Sequence, residues 1–298
     1  MSDFEIVTTT AGAVSIRNIV VNEIMHNPVG PWREANDLYI KQSRFEERLL
    51  APTEDDFVLF DVGLGAASNA LAAIHARLNL DHAQGRRLHI VSFENNLELL
   101  RFALANANAF DHMRGFEEAL TTLLETNHWE SPTGLVTWDL RPGDFLELID
   151  HETYYPELVF YDPYSPAVNQ EMWTLDAFAK LRAKCGDSPR GTTLYTYSIA
   201  TPVRSAMLLA GFFVGHGIPT GLKNETTEFA TDLTSLAKPI SKDWYGRWIR
   251  SQSPLPYTTK PEDAASIRER LNQHPQLAPF KDLGKELIKA AFPGRKWD

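Results

Sequence analysis

Apolar and polar positions alternate through SIRNIVV (15–21), the signature of a half-buried strand, and NPVG (27–30) then marks a turn. Over 34–50, Leu38, Phe45 and Leu49 recur among charges, as on one face of an amphipathic helix, and Ala51-Pro52 ends the run. From residue 57 the pattern changes. FVLFDVGLG (57–65) is a short apolar run entering a glycine turn, and 66–80 reads as the helix that follows. RLHIVSFE (87–94) predicts a second strand, 96–110 its helix, and 115–128 a further helix. GLVTWDL (134–140), ELVFYDPYSP (157–166) and TTLYTYS (192–198) predict three more strands, with helices over 170–185 and 202–212. The stretches 212–221 and 226–233 suit a terminal hairpin. Beyond about 238 no strand pattern remains, and helices are expected over 261–273 and 281–292.

This order of β and α elements predicts an α/β fold. It is a doubly wound, mostly parallel sheet with helices on both faces and a terminal antiparallel strand. Three regions follow: an N-terminal lead over 1–56 packed on the core, a core domain over 57–237, and a helical tail over 238–298. With 298 residues and 43% hydrophobic content the chain can bury a large core. The single cysteine, Cys185, excludes an internal disulfide framework and a multi-cysteine zinc site, which fits a reducing, cytoplasmic setting. Neither a signal peptide nor an 18-residue apolar span is expected, so no membrane partner is expected either. The nine histidines show no metal-ligand spacing, and no metal is assigned. Oligomeric state is not readable.

Charge is unevenly placed. Residues 1–179 hold 28 acidic and 11 basic side chains, whereas 180–298 hold 11 acidic and 18 basic. A basic half can meet an anionic partner, and Arg190, Arg204, Lys223, Lys238, Lys242, Arg247 and Arg250 are its candidate phosphate contacts; ordinary solvated surface is the alternative.

In an open α/β sheet, ligands bind beyond the carboxyl ends of the strands. Asp61, Glu94, Asp144 and Asp162 stand at four such ends. Gly63 and Gly65 allow a sharp turn and close approach of a ligand to the backbone. A dinucleotide site would use a third glycine, where this chain has Ser68, and Asp61 would sit badly beside pyrophosphate. The acid suits a cationic amino group instead, such as that of S-adenosylmethionine, with Glu94 on ribose hydroxyls. Asp144 can accept from an adenine amino group or cap the helix after it. Asp162-Pro163-Tyr164-Ser165-Pro166 places an acid and an aromatic ring in a proline-stiffened turn, where Asp162 can orient an amine nucleophile.

The segment from Asp162 to Thr174, D-P-Y-S-P-A-V-N-Q-E-M-W-T, resembles the D-G-F-x-P-x-x-N-P-x-M-W signature of tRNA-modifying methyltransferases. These form the methyltransferase domain of the bifunctional tRNA 5-methylaminomethyl-2-thiouridine biosynthesis enzymes (MnmC) and their stand-alone relatives. The resemblance takes in D-V-G-L-G-A-A-S-N with its following Asn69, the acid after the second strand, the Gly-Asp turn, and G-L-K-N-E at 221–225, about residues 15–233 in all. It implies a Rossmann-like methyltransferase domain over 57–237 that uses S-adenosyl-L-methionine and transfers its methyl group to nitrogen. The cofactor would be held by Asp61, Gly63, Gly65, Asn69, Glu94, Asp144 and Asp162. Asp162 and Tyr164 would be catalytic, and the acceptor would be the aminomethyl group on the wobble uridine of tRNA. Departures are Pro163 for the family glycine, Gln170 for its proline, Asn224 for its arginine, and no segment like its FAD-dependent oxidase domain. The alternatives are a methyltransferase acting on a small amine or a protein, and a non-catalytic binding protein that keeps the fold.

Overall fold

The computed structural model describes residues 2–25, 28–81, 84–220, 224–260, 262–283 and 286. Its strands are β1 (Phe4–Thr8), β2 (Val14–Asn18), β3 (Glu23–Ile24), β4 (Phe57–Val62), β5 (Leu88–Glu94), β6 (His128–Glu130), β7 (Val136–Pro142), β8 (Leu158–Tyr161), β9 (Thr193–Thr196), β10 (Phe213–His216) and β11 (Thr227–Ala230). Strands β1 to β3 form a small antiparallel sheet. The other eight form one sheet in the order β10-β11-β9-β8-β4-β5-β7-β6. Its five inner strands, from β9 to β7, run parallel; β11 is antiparallel to β9, and β6 to β7. The strand order reverses between β4 and β8, the switch point at which open α/β sheets bind ligands.

The helices are α1 (Pro31–Glu34), α2 (Phe45–Leu49), α3 (Ser68–Asn79), α4 (Glu98–Ala105), α5 (Glu117–Thr126), α6 (Phe145–Leu148), α7 (Leu175–Gly186), α8 (Thr201–Leu209), α9 (Lys242–Arg250) and α10 (Ala264–Gln273). They cover both faces of the sheet. Phe57, Leu59, Ile90, Trp138 and Phe160 point to the face that α3 buries. Phe60, Val62, Val91, Val159 and Tyr161 point to the face buried by α7, α8 and the C-terminal helices. This is the period-two alternation of a sheet covered on both sides.

Three elements differ from the sequence expectation. The helix expected over 34–50 is interrupted. A π-helical stretch, Ala35–Lys41, follows α1, and Arg44 then takes a left-handed conformation (φ 54°) before α2. The helix expected over 115–128 stops at Thr126, where Asn127 (φ 59°) turns the chain back so that β6 pairs with β7. Three residues are too few to show a strand period. Helix α9 was not expected, because its pattern is aromatic and basic; Trp244, Tyr245 and Trp248 bury against the same core as Ile267 and Leu271 of α10. The helix expected over 281–292 falls mostly outside the described residues.

At the amino ends of the strands a buried ion pair ties the sheet together. Arg86, just before β5, donates from Nη1 to Glu157 Oε2 (2.9 Å) and pairs through Nη2 with Oε1, while also donating to the carbonyls of Asp55 (2.8 Å) and Asp56 (2.9 Å). The side chains of Arg86 and Glu157 are 1% and 10% exposed, so removing one partner leaves the other charge in a poor solvent. Arg86→Ala is expected to lower stability by about 3–5 kcal/mol in urea unfolding, and Arg86→Met/Glu157→Met to lose much less. A loss under about 1 kcal/mol in the single variant would show that the pair is not a clamp.

Candidate active site

At the opposite, carboxyl ends of the strands lies an open cleft. Its walls include Gly63, Gly65, Glu94, Asp144, Asp162 and Tyr164, so six of the eight candidate site residues meet there. Asp61 and Asn69 are set behind the glycine turn, outside the lining and buried.

The turn is built by close packing. Gly63 (φ +89°) lies so near the Asp162–Pro163 peptide that a Cβ would stand 2.8 Å from the Asp162 carbonyl oxygen. No side chain fits there. Gly63 N–H donates to the Phe93 carbonyl (3.0 Å), and Gly65 N–H donates to Glu94 Oε2 (3.0 Å). Glu94 Oε1 accepts from the Asn96 backbone (3.0 Å). Burial raises the Glu94 pKa, and these backbone donors offset part of the rise. Helix α3 starts immediately after the turn with no side-chain cap on its first N–H groups, which leaves donors and the positive end of a helix dipole for an anionic group.

Asp61 ends a chain of hydrogen bonds. Trp138 Nε1 donates to Ser92 Oγ (2.9 Å), and Ser92 Oγ donates to Asp61 Oδ2 (2.8 Å). Asp61 Oδ1 has no partner. Burial, together with the neighbouring charges of Asp162 and Glu94, pushes the Asp61 pKa up to about 7 against the lowering effect of Ser92.

Asp162 follows β8, and its Oδ2 accepts from Asn69 Nδ2 (2.8 Å) of α3. The loop beyond it is held at several points. Tyr197 Oη donates to the Pro163 carbonyl (3.0 Å), Trp173 Nε1 donates to the Tyr164 carbonyl (2.8 Å), and Tyr161 Oη donates to the Met172 carbonyl. The Tyr164 hydroxyl accepts from Asn18 Nδ2 (3.2 Å) of β2, and Ser165 Oγ donates to Glu23 of β3 (3.2 Å). Asp144 caps α6, its Oδ1 accepting from Leu146 N–H (2.8 Å), while it also lines the cleft.

Sequence reasoning did not find Phe4, Asn18 and Met25, which the small N-terminal sheet brings to the cleft, nor Asn95, Asn96, Leu99 and Phe145. The two asparagines directly after Glu94 were the signal available, since polar residues at a strand end face the ligand side. The basic candidates divide. Arg204 is buried, and its guanidinium is taken up by Thr227 (3.0 Å), the Thr226 carbonyl (3.1 Å) and Glu225 (3.2 Å), so it is no surface contact. Arg190 pairs with Asp55 (2.7 Å). Lys238, Lys242, Arg247 and Arg250 are exposed, and Lys223 lies outside the described residues. Among the described residues no group of three or more His, Cys, Asp or Glu is placed to hold a metal ion, and no helix is long and apolar enough to cross a membrane.

The model of a family of S-adenosyl-L-methionine-dependent methyltransferases matches residues 111–231. The chain is an S-adenosyl-L-methionine-dependent methyltransferase. It is similar to the tRNA 5-methylaminomethyl-2-thiouridine biosynthesis bifunctional protein MnmC of Aeromonas salmonicida (strain A449). The two are 30% identical over 205 residues, 62% of this chain and 30% of that protein. The protein of the same name from Pseudomonas entomophila (strain L48) is 30% identical over 222 residues, 72% of this chain and 33% of its own length. The methyltransferase thus spans about a third of the length of these relatives. Its fold matches the crystal structure of MNMC2 from Aquifex aeolicus with a TM-score of 0.68 at 21% identity, over 94% of this chain and 86% of that one.

The cleft of the methyltransferase fits its cofactor chemically. Asn169 Oδ1 on the cleft wall, and Asp61 Oδ1 and Asn69 Oδ1 behind the glycine turn, are buried acceptors without donors, which suits a bound ammonium group, and the crowded Gly63 turn gives close backbone approach. Asp61 also makes a pH prediction. Its pKa is raised from 3.8 to about 7, so between these values the folded chain keeps a proton that the unfolded chain has released. The group's contribution is therefore most favourable at low pH and is lost as pH rises through about 7. Relative to wild type, Asp61→Asn should gain stability as pH is raised from about 4 to about 8, by on the order of 2–4 kcal/mol, in urea unfolding without cofactor. Parallel pH–stability curves for the two proteins would refute the buried, protonated Asp61.

Proposed function

We propose that this methyltransferase methylates the aminomethyl nitrogen on the wobble uridine of tRNA, in the cytoplasm. The observation that carries the reading is the Asp162–Pro163–Tyr164 turn. It presents a carboxylate, anchored by Asn69 at 2.8 Å, beside the glycine turn of the cofactor cleft. The names of the MnmC relatives supply the acceptor.

In this reading Glu94 accepts from the ribose hydroxyls of the cofactor, Asp144 faces its adenine, and Asp61 and Asn69 receive its ammonium group. The bound cofactor supplies an electrophilic methyl group on a sulfonium. The work left to the protein is positioning. Asp162 accepts hydrogen bonds from the acceptor amine, which must be neutral to attack, and keeps its lone pair on the methyl carbon. Methyl transfer would break the donor's C–S bond as the N–C bond forms, leaving a neutral thioether and a cationic acceptor nitrogen. Asp162 then takes its surplus proton and passes it to solvent. Tyr164, its hydroxyl fixed by Asn18, forms a flat wall for the uracil ring, which has to leave its stack to enter. Lys242, Arg247 and Arg250 are exposed on and beside α9 and serve as phosphate contacts.

Glu94→Ala should weaken S-adenosylmethionine binding by about 1–3 kcal/mol in calorimetry, the scale of charge-assisted hydrogen bonds. Unchanged affinity would remove Glu94 from the ribose.

Asp162→Asn should bind the cofactor nearly as well yet transfer methyl groups roughly 10²-fold more slowly to tRNA carrying an unmethylated aminomethyl wobble uridine. Full activity would end the assignment. Charge reversal at Arg247 and Arg250 should weaken tRNA binding, and binding to the unmutated protein should fall steeply with salt. Methyl transfer to a small polyamine, with no tRNA binding at low salt, would turn the reading toward a small-amine acceptor.

A further inference from the structure

The π-helical stretch Ala35–Lys41 buries three consecutive side chains, Leu38, Tyr39 and Ile40. The stretch is therefore covered on more than one side, as α3 is. Tyr39 is the polar member. Its side chain is completely buried, with its ring 4.9 Å from that of Phe160 on β8, two residues before Asp162. The phenol thus lies alongside β8, and its hydroxyl reaches the neighbourhood of the Asp162 carboxyl group. That hydroxyl closes no regular hydrogen bond, although the Asp162 carboxylate lies near enough to raise its pKa. The nearby phenol of Tyr197, by contrast, is committed to the Pro163 carbonyl at 3.0 Å.

A buried phenol without a regular hydrogen bond works against folding, and Phe would fill the same space at less cost. Its presence beside the proposed acceptor carboxylate calls for a role in a state other than the ligand-free one. Asn69 holds one side of Asp162 from α3. Tyr39 approaches from the π-helical stretch, which packs beside α3 on the same face of the sheet. We propose that Tyr39 is a positioning residue for methyl transfer to an amine: its hydroxyl turns to donate to the Asp162 carboxylate when the acceptor is in place, fixing the oxygen that receives the amine hydrogens. The inference rests on the reading of Asp162 as the group that contacts the acceptor.

Several titratable groups surround Asp162. Tyr39 faces it from the π-helical stretch, Tyr197 from beyond β9, and Asp61 from the end of β4, while Glu34 lies near both phenols. Asn69 already donates to one carboxylate oxygen, and a turned Tyr39 hydroxyl adds a second donor beside these acids. Loss of the Tyr39 hydroxyl removes that donor without altering the acids.

The experiment is Tyr39→Phe, with Asp162→Asn and the double variant beside it. Tyr39→Phe should keep or slightly raise the melting temperature and bind S-adenosylmethionine within twofold of wild type. Its kcat on tRNA carrying the unmethylated aminomethyl uridine should fall about tenfold or more, and the acidic limb of its kcat–pH profile should move to higher pH. In the Asp162→Asn background the same substitution should cost nothing further, because the two groups act as one. A readout independent of turnover is the carboxyl carbon resonance of Asp162, assigned by its absence in Asp162→Asn. With the acceptor tRNA bound, its titration midpoint should rise in Tyr39→Phe. Wild-type kcat with an unmoved midpoint in Tyr39→Phe, alongside an inactive Asp162→Asn, would overturn the role of Tyr39 and leave that of Asp162 standing. A fully active Asp162→Asn would overturn both.

Discussion

The structure depends on one close approach, that of Gly63 to the Asp162–Pro163 peptide. The two segments end adjacent parallel strands, β4 and β8, on either side of the point where the strand order reverses. A side chain at position 63 would meet backbone rather than a movable side-chain tip, so the chain beyond one strand or the other would have to shift. The turn proposed to receive the methyl donor and the turn proposed to receive the acceptor are therefore one packed unit. An in-line displacement requires that: sulfur, methyl carbon and nitrogen must be collinear, and a misplacement of about 1 Å costs about 10²-fold in rate.

Electrostatics separate the two ends of the sheet. At the amino ends acids are paired: Glu157 with Arg86 and Arg190, Asp56 with Arg87, and Asp55 with Arg190. At the carboxyl ends, Asp61 and Glu94 have neutral donors, a hydroxyl and backbone N–H groups, and burial raises the pKa of both. A protein that needed these acids only for stability would have given them cations. The uneven allocation leaves acids without cations where a cationic cofactor is expected to enter, at a cost in folding.

Much of this was legible in the sequence, because the signals are local. Asp61, Gly63 and Gly65 fall within five residues, and the period-two strands around them fix the end of the sheet at which they sit. Asp144 carried two readings, and the structure realises the cap without removing it from the cleft. What escaped has no local signature. Asn18 meets Tyr164 across 146 positions of chain, and Phe4 and Met25 reach the cleft only because a separate small sheet folds over it. Arg204 looked like a surface cation because charge alone cannot tell a solvated arginine from one buried on Glu225; only the helix register of α8 decides. The π-helical turn was hidden for the same reason, since 34–50 satisfies an amphipathic α pattern at Leu38, Phe45 and Leu49 while the chain adopts another.

The small N-terminal sheet ties these observations together. Phe4 and Met25 line the cleft beside Gly65 and Leu99, where the proposed cofactor site lies, and Asn18 and Glu23 hold Tyr164 and Ser165 of the proposed acceptor loop. One two-strand connection, from β2 to β3, thus touches both halves of the reaction centre. Its contacts to the acceptor loop are a few hydrogen bonds among partly exposed groups, and are individually weak. Its contacts to the cleft are apolar. Filling the cleft would bury more of Phe4 and Met25 and so strengthen the hold of the sheet on the core. The proposed donor side of the cleft and the proposed acceptor loop are therefore packed on one shared element.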